Sequence, residues 1–277
     1  MDCEKKSKWQ RKAMRIGVLV AVPYLLLIAG VFFWQRHLLY FPAKVAPGLA
    51  LAMASRSGFE PWYNGSGQII GWKQISKAAA SHPRILITHG NGGFALDRVD
   101  YARSLSQAAD CDVYILEYPG YGARAGSPSQ ESLFQAADEA FGLLAKDGPV
   151  FLIGESLGTG VAAYLAGNNS QMVAGLLLFA PYDNLGNVAQ DHMSIVPAKW
   201  LLLDKFSSAA YLRNYHGCLG VVVGGRDTTV PSRFGRKLFD GYSGRKHLWE
   251  VPLAGHNDLP NQPIEFWKEL VAFWKGS

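Results

Sequence analysis

Cysteine is scarce in this chain. There are three in 277 residues, Cys3, Cys111 and Cys218, too few for the disulfide framework that holds small secreted domains. Charge is also sparse, at 18% of residues. No close-spaced group of His and Cys suggests a metal centre, and no cofactor is expected. Internal repeats, low-complexity tracts and charge blocks beyond the first fifteen residues are missing, which excludes solenoids and long disordered arms. A net charge of +5 hints at a nucleic-acid partner, but its distribution removes the hint. Lys5, Lys6, Lys8, Arg11, Lys12 and Arg15 face only Asp2 and Glu4, so the first fifteen residues carry four of the five charges. Residues 16–277 therefore present no basic face, and nucleic acid is not an expected partner.

What the chain does have is a long apolar run. Residues 16–34 carry no charged side chain, and at about 1.5 Å per residue they span roughly 28 Å, close to a bilayer core. A cleaved signal peptide is the alternative. The run exceeds the usual ~7–15 residue apolar stretch of such peptides. It exits into Phe32-Phe33-Trp34-Gln35-Arg36-His37 with no small-residue cleavage site. An uncleaved signal anchor is the expectation, with Pro23 tolerated as a kink. The basic flank 1–15 predicts a cytoplasmic N-terminus, with the rest on the far side: periplasmic in a bacterium, lumenal or extracellular in a eukaryote.

Residues 35–58, with Pro42 and Pro47, read as a juxtamembrane connector. A globular domain is expected over 59–277. There strands at 68–76, 84–88, 112–118, 150–154, 174–180, 219–223 and 247–251 alternate with helices, and the turn at 64–67 suggests a hairpin between 59–63 and 68–76. The strands are near-continuous apolar runs rich in Val, Ile and Leu, as in a mostly parallel sheet covered on both faces. Ser127 reads as the N-cap of a helix ending near Lys146, with Pro128 first and Gln130 in a capping box. Residues 181–216 form an irregular to helical insertion.

Four short motifs carry chemistry. Gly154-Glu155-Ser156-Leu157-Gly158 follows the strand Val150-Phe151-Leu152-Ile153. In G-x-S-x-G the glycines let a strand turn sharply into a helix, so the serine hydroxyl projects above the sheet. His89-Gly90-Asn91-Gly92-Gly93 ends another strand. A Gly-rich turn there aims a backbone N–H at a reacting carbonyl oxygen, and the N–H groups of Asn91 and Leu157 are the expected oxyanion donors. Asp227 stands just beyond Val221-Val222-Val223, at the carboxyl end of a strand. His256, in Ala254-Gly255-His256-Asn257, follows the last strand and the acid. The order Ser, Asp, His selects these over readings as a helix cap and a structural histidine. His89 is expected to pack the loop rather than react.

With Glu117-Tyr118-Pro119-Gly120-Tyr121-Gly122 and the helix after it, these motifs resemble the α/β-hydrolase superfamily over about residues 60–275, most closely its single-pass, membrane-anchored abhydrolase-domain branch and bacterial relatives. The resemblance implies an eight-stranded, mostly parallel sheet in the order 1-2-4-3-5-6-7-8, with helices on both faces and a short lid at 181–216. It implies Ser156 as nucleophile, His256 as base and Asp227 as the acid orienting the base. Pro119 and Thr228 depart from the pattern, where relatives often have Arg and an acidic residue. That sheet order would hold Cys111 and Cys218 four inter-strand steps apart, roughly 19 Å, so no disulfide between them is expected.

The implied activity is cleavage of a small-molecule or lipid acyl ester or thioester, esterase- or lysophospholipase-like. A peptidase or amidase uses the same groups, and a non-catalytic hydrolase-fold binding protein would ordinarily have lost them. In the insertion, Trp200, Leu201, Leu202, Leu203, Phe206 and Tyr211 either pack over the sheet or form an apolar acyl pocket facing the bilayer.

Overall fold

The computed structural model describes residues 2–74 and 82–276, with side chains described from Trp9 onward. The chain begins with one long helix, α1 (Asp2–Leu39), and a two-residue strand, β1 (Phe41–Pro42). Helix α2 (Pro47–Arg56) leads to the hairpin β2 (Phe59–Tyr63) and β3 (Ile69–Gln74). Residues 75 and 76, which the sequence assigns to this strand, lie outside the described residues. Next come β4 (Arg84–Thr88), β5 (Gly92–Gly93), a 3₁₀ turn, α3 (Val99–Ala108) and β6 (Asp112–Leu116). Helix and strand then alternate through α4 (Gln130–Ala145), β7 (Val150–Glu155), α5 (Leu157–Asn168) and β8 (Val173–Phe179). The insertion holds three short helices, α6 (Leu185–His192), α7 (Ala198–Leu201) and α8 (Ser208–Tyr211). The chain closes with β9 (Cys218–Gly224), α9 (Ser232–Gly241), β10 (Lys246–Val251) and α10 (Ile264–Lys275).

Eight strands form the main sheet in the order β2-β3-β6-β4-β7-β8-β9-β10. Counted along the chain this is 1-2-4-3-5-6-7-8, the order the family resemblance implies. The pairs β2–β3 and β3–β6 are antiparallel and the others parallel. Every residue of β4 and β9 is buried, as strands covered by helices on both faces require. Helix α5 is buried nearly all round because Gly, Ala and Thr fill most of it. The parallel arrangement brings the carboxyl ends of β4, β7, β8, β9 and β10 to one side, where loops meet. Cys111 precedes β6 and Cys218 begins β9, four strands away, and no disulfide joins them.

One local reading needs correction. The cap of α4 is Ser129, not Ser127: its Oγ accepts from the Ser132 N–H at 3.0 Å, and the Ser132 Oγ accepts from the Ser129 N–H at 2.9 Å. Gln130 cannot serve a box at Ser127, because its Oε1 accepts from the Phe206 N–H at 2.6 Å in the insertion. Residues 35–58 pack against the domain. Helix α1 runs on to Leu39, β1 pairs with β5, and Tyr40, Ala50 and Ala54 join the core.

Within α1, Trp9–Leu39 is long and apolar enough to cross a membrane, and its most apolar stretch is unburied by the rest of the chain. No other described helix meets that standard.

Candidate active site

The G-x-S-x-G turn is as tight as its glycines suggest. Ser156 sits at φ 50° and ψ −118°, a left-handed conformation that side chains rarely adopt. Such strain persists only where the surroundings enforce it. A Cβ at Gly154 would lie 2.8 Å from the Gly158 carbonyl oxygen, and one at Gly158 would fall on the Thr88 carbonyl. The turn is held below by the Thr88 hydroxyl, which donates to the Gly158 carbonyl at 2.9 Å, and by the Ser156 N–H, which donates to Phe179 at 2.9 Å.

Three side chains from distant parts of the sequence meet above this turn. The Ser156 Oγ lies 3.0 Å from Nε2 of His256, and Nδ1 of His256 lies 2.7 Å from Oδ2 of Asp227. The Asp227 side chain is fully buried. Its other oxygen accepts from the backbone N–H groups of Thr229 at 2.9 Å and Val230 at 2.8 Å. The carboxylate is therefore satisfied on both oxygens and fixed in place. His256 stands on a 3₁₀ turn after β10 whose entry is tied by the Gly255 N–H to Asp258 at 2.8 Å.

Asn91 and Leu157 line the same cavity as Ser156. Among the described residues, neither backbone N–H donates to an acceptor. Leu157 is the first residue of α5, so its N–H adds to the positive end of that helix. The loop carrying Asn91 is braced from behind. His89 is fully buried between Tyr118 and Tyr121. The Tyr118 hydroxyl donates to the His89 carbonyl at 3.0 Å, and the Tyr121 hydroxyl to the Asn91 carbonyl at 2.9 Å. His89 thus packs the loop, as the sequence suggested.

The motifs did not disclose a half-buried ion pair on the residue next to the serine. Arg98 grips Glu155 with two bonds of 2.6 and 2.7 Å, and the Tyr101 hydroxyl adds a third at 3.0 Å. Burial opposes the guanidinium charge, but Glu155 outweighs it and raises the Arg98 pKa; burial and then Glu155 push the Tyr101 hydroxyl far up. The pair fixes the residue preceding Ser156. Only the variable position of G-x-S-x-G marked it, and nothing local marked its partner.

A cavity of about 320 Å³ opens from Ser156. Its walls are almost wholly apolar, with Leu185, Val188, Met193, Leu201 and Leu202 of the insertion on one side and residues of α1 on another. The residues of the insertion divide between packing and the cavity. Phe206 is buried against Phe134, and Tyr211 packs edge-on to Phe134 and Tyr164. Leu201 and Leu202 face the cavity, whereas Trp200 is 80% exposed.

The α/β-hydrolase family model matches residues 85–214. An uncharacterised protein of Mycobacterium tuberculosis is 30% identical over 254 residues, 89% of each chain. The lysophosphatidylserine lipase ABHD12 of Rattus norvegicus is 29% identical over 200 residues, 65% of this chain and 50% of that protein. Among solved structures, an esterase of Pyrococcus furiosus superposes with a TM-score of 0.62 at 16% identity, covering 86% of this chain and 97% of its own. A bacterial membrane phospholipase A superposes at 0.57 and 18% identity, covering 96% and 98%. This chain belongs to the α/β-hydrolase family and is a hydrolase with esterase and lipase relatives.

Proposed function

We propose that the chain is a membrane-anchored serine hydrolase that cleaves acyl esters or thioesters of lipid-like substrates through an acyl-enzyme. The observation that carries this reading is the hydrogen-bonded line from Ser156 through His256 to buried Asp227, at the mouth of an apolar cavity. His256 takes the Ser156 proton as Oγ attacks the acyl carbon, and Asp227 holds the imidazole tautomer and stabilises the imidazolium. The carbonyl oxygen, now an oxyanion, accepts from the N–H groups of Asn91 and Leu157, each worth about 10²–10³ in rate in comparable sites. The departing alcohol or thiol collects the proton from His256. Water, deprotonated by the same imidazole, then releases the acid.

The relatives named as a lysophosphatidylserine lipase and a membrane phospholipase support a lipid-like substrate. The basic flank before the apolar helix supports a cytoplasmic N-terminus and a catalytic domain on the far side. Labelling by a fluorophosphonate tests the chemistry: the intact chain reacts and Ser156→Ala does not. Equal labelling of both proteins would end the proposal.

A further inference from the structure

We infer that the last turns of α1 form a wall of the acyl pocket, so that the membrane helix itself sets which acyl chains are cleaved. The inference rests on the ester-hydrolase reading and adds a specificity element to it. Val31, Phe32, Gln35, Leu38 and Leu39 line the cavity that opens from Ser156. Their spacing, i, i+1, i+4, i+7 and i+8, is one face of a helix. The other face is turned outward, with Phe33 75% and Trp34 63% exposed.

A tether has no need to be fastened to the site, yet this helix is fastened at four points and the residue after it at a fifth. The Tyr24 hydroxyl donates to the Ile195 carbonyl at 3.0 Å. The buried Gln35 accepts from the Leu203 N–H at 2.7 Å. Buried Asp204 accepts from Arg36 at 3.1 Å and from the Tyr40 hydroxyl at 3.0 Å. Asn91, which lines the cavity, donates its side-chain amide to the Leu39 carbonyl at 2.8 Å. Helix and insertion are thereby held as two sides of one slot, and the helix end is bonded to the oxyanion loop. An apolar slot with the nucleophile at its end fits a hydrocarbon tail, and a helix that continues into the bilayer sets that slot beside the lipid.

The test uses the intact chain in phosphatidylcholine nanodiscs, with p-nitrophenyl esters from butanoate to hexadecanoate. Val31→Trp and Leu39→Trp fill the slot, and each excluded methylene lowers kcat/KM about fourfold. The optimum therefore moves to shorter chains, with the longest esters losing at least tenfold relative to butanoate. Leu26→Trp, on an exposed position of the same helix, keeps the wild-type profile. An independent readout is a long-chain alkyl fluorophosphonate with a diazirine at its far end. After capture by Ser156 and irradiation, it labels peptides within residues 31–39. A wild-type profile in both slot-filling variants, or crosslinks that avoid this segment, would overturn the inference while leaving the hydrolase reading intact. An intact chain that neither hydrolyses any ester nor captures the phosphonate would sink both.

Discussion

Replacing Asp227 by Asn exchanges one oxygen for an amide nitrogen, and the surroundings decide which. Oδ1 accepts from two backbone N–H groups, of Thr229 and Val230. An NH₂ placed there would set donors against donors and forfeit two hydrogen bonds. The amide oxygen must therefore keep that position, and the NH₂ must face Nδ1 of His256, 2.7 Å away in the native protein. Nδ1 can then only accept, so the ring proton moves to Nε2, which faces Ser156 at 3.0 Å. A protonated Nε2 cannot take the serine proton. The expected loss in kcat is about 10⁴, or about 5.5 kcal/mol of barrier. KM stays within about threefold, because Asp227 does not line the cavity. The fold survives, because the bonds that start the segment toward α9 are retained. Hydrolysis of p-nitrophenyl butanoate by the intact chain in detergent, with circular dichroism to check folding, measures this. A folded Asp227→Asn protein losing less than tenfold in kcat would refute the reasoning and direct attention to another carboxylate.

Other outcomes follow from the surroundings of the serine. Arg98→Met leaves the half-buried Glu155 with only the Tyr101 hydroxyl as a side-chain partner and should cost about 1–2 kcal/mol in urea unfolding; an unchanged midpoint would show the pair to be idle. Gly158→Ala drives a methyl group into the Thr88 carbonyl. It should cost at least about 1–3 kcal/mol, read as a lower thermal midpoint together with slower fluorophosphonate capture. Cys111 is pushed up to about 12 from 9.0 by burial and then by Asp112 and Asp110. Its thiolate is thus depleted at pH 8 and gains only as pH rises toward 12, so alkylation should run roughly 10³ slower than for an ordinary thiol. Fast modification of Cys111 at pH 8 in the native protein would contradict that.

The strands and four of the motifs were legible because their signals are local. Val221-Val222-Val223 reads as a buried strand on its own, and Asp227 and His256 gain meaning from their order along the chain. Contacts across long separations were not legible. Glu155 and Arg98 lie 57 positions apart, and Asp204 and Arg36 lie 168 apart; no periodicity links them. The cap of α4 was misplaced for a related reason. Ser127 and Ser129 flank Pro128 equally well in sequence, and the choice depends on Gln130 being drawn to Phe206 in the insertion. Residues 35–58 read as a connector because the partners that hold them are remote in sequence, β5 for β1 and Asp204 for Arg36 and Tyr40. The residues of the insertion divide by burial: Phe206 packs on Phe134, while Trp200 stands 80% exposed.

The unbroken passage of α1 from the apolar stretch into the body bears on how this gene can be altered. A protein whose anchor hangs from a flexible linker is modular, and its leader can be exchanged for another. Here the final turns of α1 share bonds with the insertion and with the loop at Asn91. A chimera joined upstream of Tyr24 keeps those bonds. One joined at residue 40, the natural place to trim a chain for soluble expression, removes those bonds along with the apolar stretch.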